Sequence, residues 1–307
     1  MIIPLRRLSF VILTVFLLLA ISGCQPANSV SLTTATTTPT NPPPTITPLP
    51  TLTATPTTSP TPTEIPCLEK TGTIVEMDVP TDWLNWPVNT RVYLPPCYDE
   101  SAPSGYPVLY MFHGQAATND QWMRLGLTNA ADELITKGKI QPMLIVMPFE
   151  ITWTPNPNES YFDETFLEDV LPYVENEYAV CQERTCRAVG GLSRGGNWAV
   201  YFGFARPDLF GTVGAHSTPL FYGEEFRISQ SLAMAGSLAE LPFVIMDMGA
   251  RDADRDKVLA FKTFLESNGI SFEYNEFEGR HEESYWSAHV KDYLRWYAAR
   301  FIVPQAE

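Results

Sequence analysis

Between residues 73 and 278 the chain repeats one pattern, a short apolar run followed by a longer stretch in which apolar residues recur every three or four positions. The short runs at 73–79, 89–95, 107–113, 142–148, 186–191, 211–215, 242–249 and 271–278 predict strands. Those from 107 to 249, such as "PVLYMFH" and "PFVIMDMG", are largely continuous rather than alternating, as expected of strands buried on both faces of a parallel sheet. Helical periodicity predicts helices at 128–137, 163–178, 194–206, 254–268 and 282–301. Strands and helices in this alternation imply right-handed crossovers and a doubly wound α/β sheet. Segment 218–241 shows only a short helix and is expected to form part of a pocket wall.

The first 66 residues follow a different rule. Residues 1–23 carry Arg6 and Arg7, no acid, and the run "LSFVILTVFLLLAI", too short to span a bilayer comfortably. This is the layout of an export signal peptide. The following "ISGC" is similar to the bacterial lipoprotein cleavage box, which makes Cys24 the expected site of lipidation; an ordinary secretory signal or an uncleaved anchor is the alternative. Residues 28–66 are rich in Thr and Pro, with no aromatic residue and a single charge, Glu64. Such a segment cannot bury enough apolar surface to offset the entropy of ordering. The expected organisation is a signal at 1–23, a lipid-anchor cysteine and disordered linker at 24–66, and a folded domain at 67–307, outside the cytoplasm and touching membrane only through the lipid.

Charge narrows the partners. A net charge of -15 argues against nucleic acid and against anionic membrane surfaces. With Cys24 assigned to lipid, Cys67, Cys97, Cys181 and Cys186 remain and allow three pairings. Proximity in sequence favours Cys181 with Cys186, and antiparallel pairing of 73–79 with 89–95 would bring Cys67 beside Cys97. Export permits both disulfides, four buried thiols being the alternative. Nothing in the cysteine spacing suggests a metal.

The candidate chemistry centres on "AVGGLSRGGNW" at 188–198, where an apolar run ends and a helical pattern begins. Gly191-Leu192-Ser193-Arg194-Gly195 matches G-x-S-x-G, and between strand and helix that motif is a nucleophile elbow, a turn tight enough to exclude neighbouring Cβ atoms. A serine hydroxyl needs a base to take its proton and a carboxylate to orient the base. Of four histidines, His281 in "EGRHEESYW" falls in the loop after the last strand, where the base belongs; His113, His216 and His289 suit other tasks. The acid should follow the seventh strand. In "MGARDADRD" Asp252 is the expected residue and Asp254 the alternative, while Asp247 reads as a hydrogen-bonded core acid. Two N–H donors must stabilise the oxyanion, and the backbone amides of Arg194 and Gln115 fit that task. His113 is expected to fix the Gln115 loop by hydrogen bonding.

These residues resemble the esterase D and enterochelin esterase-like group of α/β-hydrolases, with its feruloyl esterase modules and mycolyltransferases. The resemblance rests on "YMFHGQ", "FLEDVLPYVENEY", "GGLSRGGNWA", "ARPDLFG", "GARD" and "EGRHEESYW". It implies an α/β-hydrolase fold of eight mostly parallel strands with helices on both faces, and ester hydrolysis by a Ser-His-Asp triad without metal or organic cofactor. Acyl transfer to a sugar hydroxyl is the second activity it allows, and a non-catalytic binding module a third reading. One departure is the charge around His281, with Arg280 before it and two glutamates after. Trp122, Phe149, Trp153, Trp198 and Trp286 are expected near the pocket, an aromatic lining that would suit a small-molecule or glycan-linked ester.

Overall fold

The computed structural model describes residues 67–150, 154 and 159–304. The signal, Cys24, the linker and Trp153 lie outside the described residues. Eight strands form one sheet in the order β1-β2-β4-β3-β5-β6-β7-β8. They are β1 (Thr73–Val79), β2 (Val88–Leu94), β3 (Val108–Phe112), β4 (Leu144–Pro148), β5 (Arg187–Leu192), β6 (Thr212–His216), β7 (Phe243–Gly249) and β8 (Phe272–Phe277). β1 with β2 and β2 with β4 pair antiparallel, and the remaining neighbours are parallel. This is the doubly wound, mostly parallel sheet that the apolar runs predict, in the α/β-hydrolase arrangement that the resemblance implies.

Side chains alternate across the sheet, so a strand can feed two cores. Val108, Tyr110 and Phe112 of β3 join one, and Leu109 and Met111 the other. The first is covered by α5 (Arg194–Ala205), by α7 (Arg255–Ser267) and by a helical stretch made of α3 (Phe162–Glu164), a π-helical segment Thr165–Val170 and α4 (Leu171–Glu177). The second is covered by α1 (Gln121–Arg124), α2 (Leu127–Thr136) and α8 (Glu283–Ala298). The widened turn has a local cause. Pro172 at the start of α4 lacks an N–H and crowds the carbonyl of Glu168 one turn back, inside the π-helical segment. Segment 218–241 forms α6 (Glu224–Met234). Among the described residues no helix is long and apolar enough to cross a membrane.

Disulfides join Cys67 to Cys97 and Cys181 to Cys186, each with Cα atoms 5.8 Å apart. The register pairs Thr73 with Leu94, so the chain before β1 and the chain after β2 leave the hairpin side by side. The larger loop, spanning 30 residues, restricts the unfolded chain more. Replacing Cys67 and Cys97 by alanine is expected to lower stability by about 3 kcal/mol, read as a fall in the denaturant midpoint of the oxidised protein.

Topology places the site. From β3 the chain passes to β4 on one side and later to β5 on the other, so the loops leaving β3 and β5 diverge. A doubly wound sheet opens a crevice at such a switch point, beyond the carboxyl ends of the strands. Gly114 follows β3 and Ser193 follows β5.

Candidate active site

Ser193 holds φ 51° and ψ -117°, a conformation that residues with a Cβ avoid. The surroundings enforce it. The Ser193 amide donates to the His216 carbonyl at 2.8 Å, tying the turn to β6. A Cβ on Gly195 would collide with the carbonyl of Phe112, and one on Gly191 with the backbone of Gly195. The hydroxyl is partly exposed and makes no hydrogen bond among the described residues.

His281 and Asp252 come together from adjacent strand ends. The imidazole Nδ1 lies 3.1 Å from both Asp252 carboxylate oxygens. The loops carrying them are laced by Ala250 N–H to Phe277 O at 2.7 Å and Arg251 N–H to Gly279 O at 2.9 Å. Burial works to raise the Asp252 pKa, but hydrogen bonds from His281 and from the Asp254 amide outweigh it, and the carboxyl stays below its ordinary value. Asp254 occupies the N-cap position of α7 without a side-chain capping bond, and its carboxylate instead pairs with Lys257 at 2.7 Å. Of the two candidate acids, Asp252 is the one paired with the imidazole. No hydrogen bond joins His281 to Ser193 among the described residues.

On the other side of Ser193, the backbone amides of Gln115 and Arg194 donate to no acceptor among the described residues. The loop bearing Gln115 is held from beneath by His113, whose Nε2 accepts the Glu150 N–H at 2.9 Å while Nδ1 donates to the Gly114 carbonyl at 2.9 Å. Burial lowers the His113 pKa to about 4, so the ring stays neutral and both bonds persist. The Arg194 guanidinium is held in a buried ion pair with Glu150.

The profile of the Esterase family, described as "Putative esterase", matches residues 81–297. The chain belongs to the Esterase family. An endo-1,4-beta-xylanase/feruloyl esterase of Xylanibacter ruminicola is 28% identical over 147 residues, 45% of this chain and 20% of that protein. Esterase Rv1288 of Mycobacterium tuberculosis is 30% identical over 176 residues, 55% of this chain and 36% of its own. The chain thus aligns with a fifth to about a third of these relatives' length. The solved structure of a ferulic acid esterase superposes with a TM-score of 0.67 at 24% identity, covering 75% of this chain and 100% of that one, a likeness of fold.

Within this family member the aromatic residues expected near the pocket divide. Trp122 is a correction: it is buried, donates its indole N–H to the Phe112 carbonyl at 2.9 Å and wedges against His216 and Tyr293. Trp198 is another, a buried α5 side chain packed among Phe162, Phe202 and Phe221. Both indoles fill gaps under the site, because a side chain that large contributes more by leaving water than by lining a cleft. Trp286 is buried edge-on against the His281 ring at 5.1 Å and steadies it. Phe149 stacks on His113 at 5.5 Å.

Asp247 is the hydrogen-bonded core acid that the sequence indicates: it accepts from His216, Tyr285 and Tyr293, forming a second His–Asp pair inside the core. Two supporting residues escape sequence reasoning. Glu150 is a lone acid after a strand, with no signal that it meets Arg194. Gln121 is the second. Its Oε1 accepts the Gly114 N–H at 2.8 Å and its Nε2 donates to Glu283 at 3.0 Å, and Glu283 also pairs with Arg124. The negative charge after His281 is therefore partly balanced, and the oxyanion loop is linked to the helix that follows the histidine. Gln121→Ala should lower kcat on a small ester on the order of tenfold with little change in KM, as expected when an amide needed in the transition state loses its support. Glu283→Gln keeps an acceptor for Gln121 and should lose less.

Proposed function

We propose that the chain is a serine carboxylesterase acting outside the cytoplasm, held to a membrane through lipid on Cys24, and that its substrates are acyl or feruloyl-type esters borne on carbohydrate. The reading rests on one observation, the strained Ser193 lying between two unpaired amide donors and the ends of β7 and β8, where His281 meets Asp252. Family membership supports ester chemistry, and the relative named endo-1,4-beta-xylanase/feruloyl esterase supports the substrate class.

Ser193 Oγ attacks the ester carbonyl while His281 Nε2 takes its proton, a contact that closes when substrate orders the site. Asp252 holds Nδ1–H and stabilises the imidazolium. The oxyanion lies against the amides of Gln115 and Arg194. Proton return from His281 releases the alcohol, and a water molecule, deprotonated by the same ring, clears the acyl group.

A fluorophosphonate should label the full chain at Ser193 and block hydrolysis of 4-nitrophenyl acetate. Folded protein that neither reacts nor turns over acetyl, feruloyl or longer acyl esters would sink the catalytic reading. Labelled fatty acid incorporated in a bacterial host and lost in Cys24→Ala tests the tether separately.

A further inference from the structure

A cluster of exposed rings lies outside the groups assigned to catalysis. The loop from β1 to β2, "TDWLNWP", exposes two indoles, Trp83 at 39% and Trp86 at 49%, and Tyr161 just before α3 is 40% exposed. Isolated exposed rings are ordinary, but three together on one edge are not. Trp83 and Tyr161 lie nearly parallel, with centroids 6.4 Å apart and 22° between their planes. Tyr161 also holds φ 54°, a left-handed conformation that residues other than glycine rarely adopt. The chain accepts an unfavourable backbone conformation at the residue whose ring faces Trp83 and solvent, and such strain concentrates where ligands bind.

The position of these rings connects them to the reaction centre. Because β2 runs antiparallel to β4, the β1–β2 loop lies at the end of the sheet where β3, β4 and β5 also terminate. The Phe149 amide donates to the Asn89 carbonyl at 2.9 Å, and the Asn119 side chain also bonds to Asn89. Trp86 shares a recess with Leu84, Phe149 and Phe162. Phe149 in turn stacks on His113, which fixes the loop bearing the oxyanion amide. Packing contacts therefore link the loop that carries the exposed rings to the loop that carries Gln115.

We infer that Trp83, Trp86 and Tyr161 form a subsite for the neutral sugar that carries the scissile ester; the inference rests on the esterase reading of the adjoining site. A sugar ring presents an apolar C–H face and a rim of hydroxyls. Flat aromatic faces take the first, and the exposed Asp82 and Asn85 beside the indoles offer acceptors and a donor for the second. The net charge of -15 and the Asp82 carboxylate disfavour an anionic polymer or an anionic lipid surface.

The test compares Trp83→Ala and Trp86→Ala with the parent full-length chain on two substrates bearing the same acyl group, methyl ferulate and a feruloylated arabinoxylo-oligosaccharide. Either substitution should lower kcat/KM on the oligosaccharide ester about tenfold, equivalent to about 1.4 kcal/mol, and leave methyl ferulate within about twofold. Equal losses on both substrates, or none on either, would overturn the subsite. Binding is measured independently in Ser193→Ala protein, titrating neutral xylo-, arabino- and gluco-oligosaccharides against tryptophan fluorescence. Saturable quenching that disappears in the Trp83→Ala background supports the subsite even if the parent hydrolyses no ester. Absence of a response to every sugar rejects it even if small esters are cleaved.

Discussion

Ser193→Ala is expected to lower turnover of a small aryl ester by at least about 10⁴-fold, because the hydroxyl proposed to form the acyl-enzyme is gone while the amides proposed to hold the oxyanion remain. The comparison with Ser193→Gly adds a structural readout. Both variants lack the hydroxyl, so both should be inactive. Alanine keeps a Cβ at φ 51°, whereas glycine adopts that conformation freely. The glycine variant is therefore expected to be more stable than the alanine variant by about 1 kcal/mol, measured as a higher midpoint in urea. Equal stability would mean that the turn is less strained than its dihedrals indicate. Retention of more than about one per cent of turnover in either variant would remove Ser193 from the reaction.

That strain connects the legible and illegible parts of the molecule. The turn was readable because G-x-S-x-G states its own geometry: close approach on both sides and an oxygen left outside. The sheet was readable because strands buried on two faces leave continuous apolar runs, and β3 to β7 each begin and end within about two residues of those runs. His281 and Asp252 followed from chain order. Their contact crosses 29 residues, but the parallel strands β7 and β8 deliver both loops to the same edge.

What sequence could not supply was the direction in which large or charged side chains turn. Trp122 and Trp198 sit near the right loops in sequence, but one indole points under β3 and the other into the α5 core. Periodicity does not separate a tryptophan that lines a cleft from one that supports it. The ion pair of Glu150 with Arg194 spans 44 residues, and the contact of Gln121 with Glu283 spans 162. Neither has a local pattern, since each depends on how two loops settle after the sheet forms. The π-helical turn before α4 was hidden for another reason: widening it by one residue per turn scarcely changes which side chains are apolar.

Asp252→Asn is the second large effect, and it separates orientation from charge. The carboxylate accepts the His281 Nδ1–H and the Asp254 amide. An asparagine of the same shape can satisfy the amide with its oxygen, which turns its NH₂ toward the ring. Nδ1 must then accept, the proton moves to Nε2, and the imidazole can no longer take one from Ser193. The expected fall in kcat is about 10⁴-fold with the fold retained. The parent's acid limb is constrained by the same pair. The Asp252 pKa lies below its ordinary value, so its stabilising contribution is fully present above the unfolded value of about 3.9 and is lost only as pH falls through the lower folded value. Activity lost well above pH 4 must then come from a group other than Asp252. Asp254→Asn is the matched control. Its amide to Asp252 is backbone and survives the substitution, and only the exposed pair with Lys257 is weakened. A kcat–pH series in which Asp254→Asn is crippled and Asp252→Asn is not would move the carboxylate role two residues along the loop. The reverse outcome ties the tautomer of His281, and with it the basicity available to Ser193, to the Asp252 carboxylate in the loop after β7.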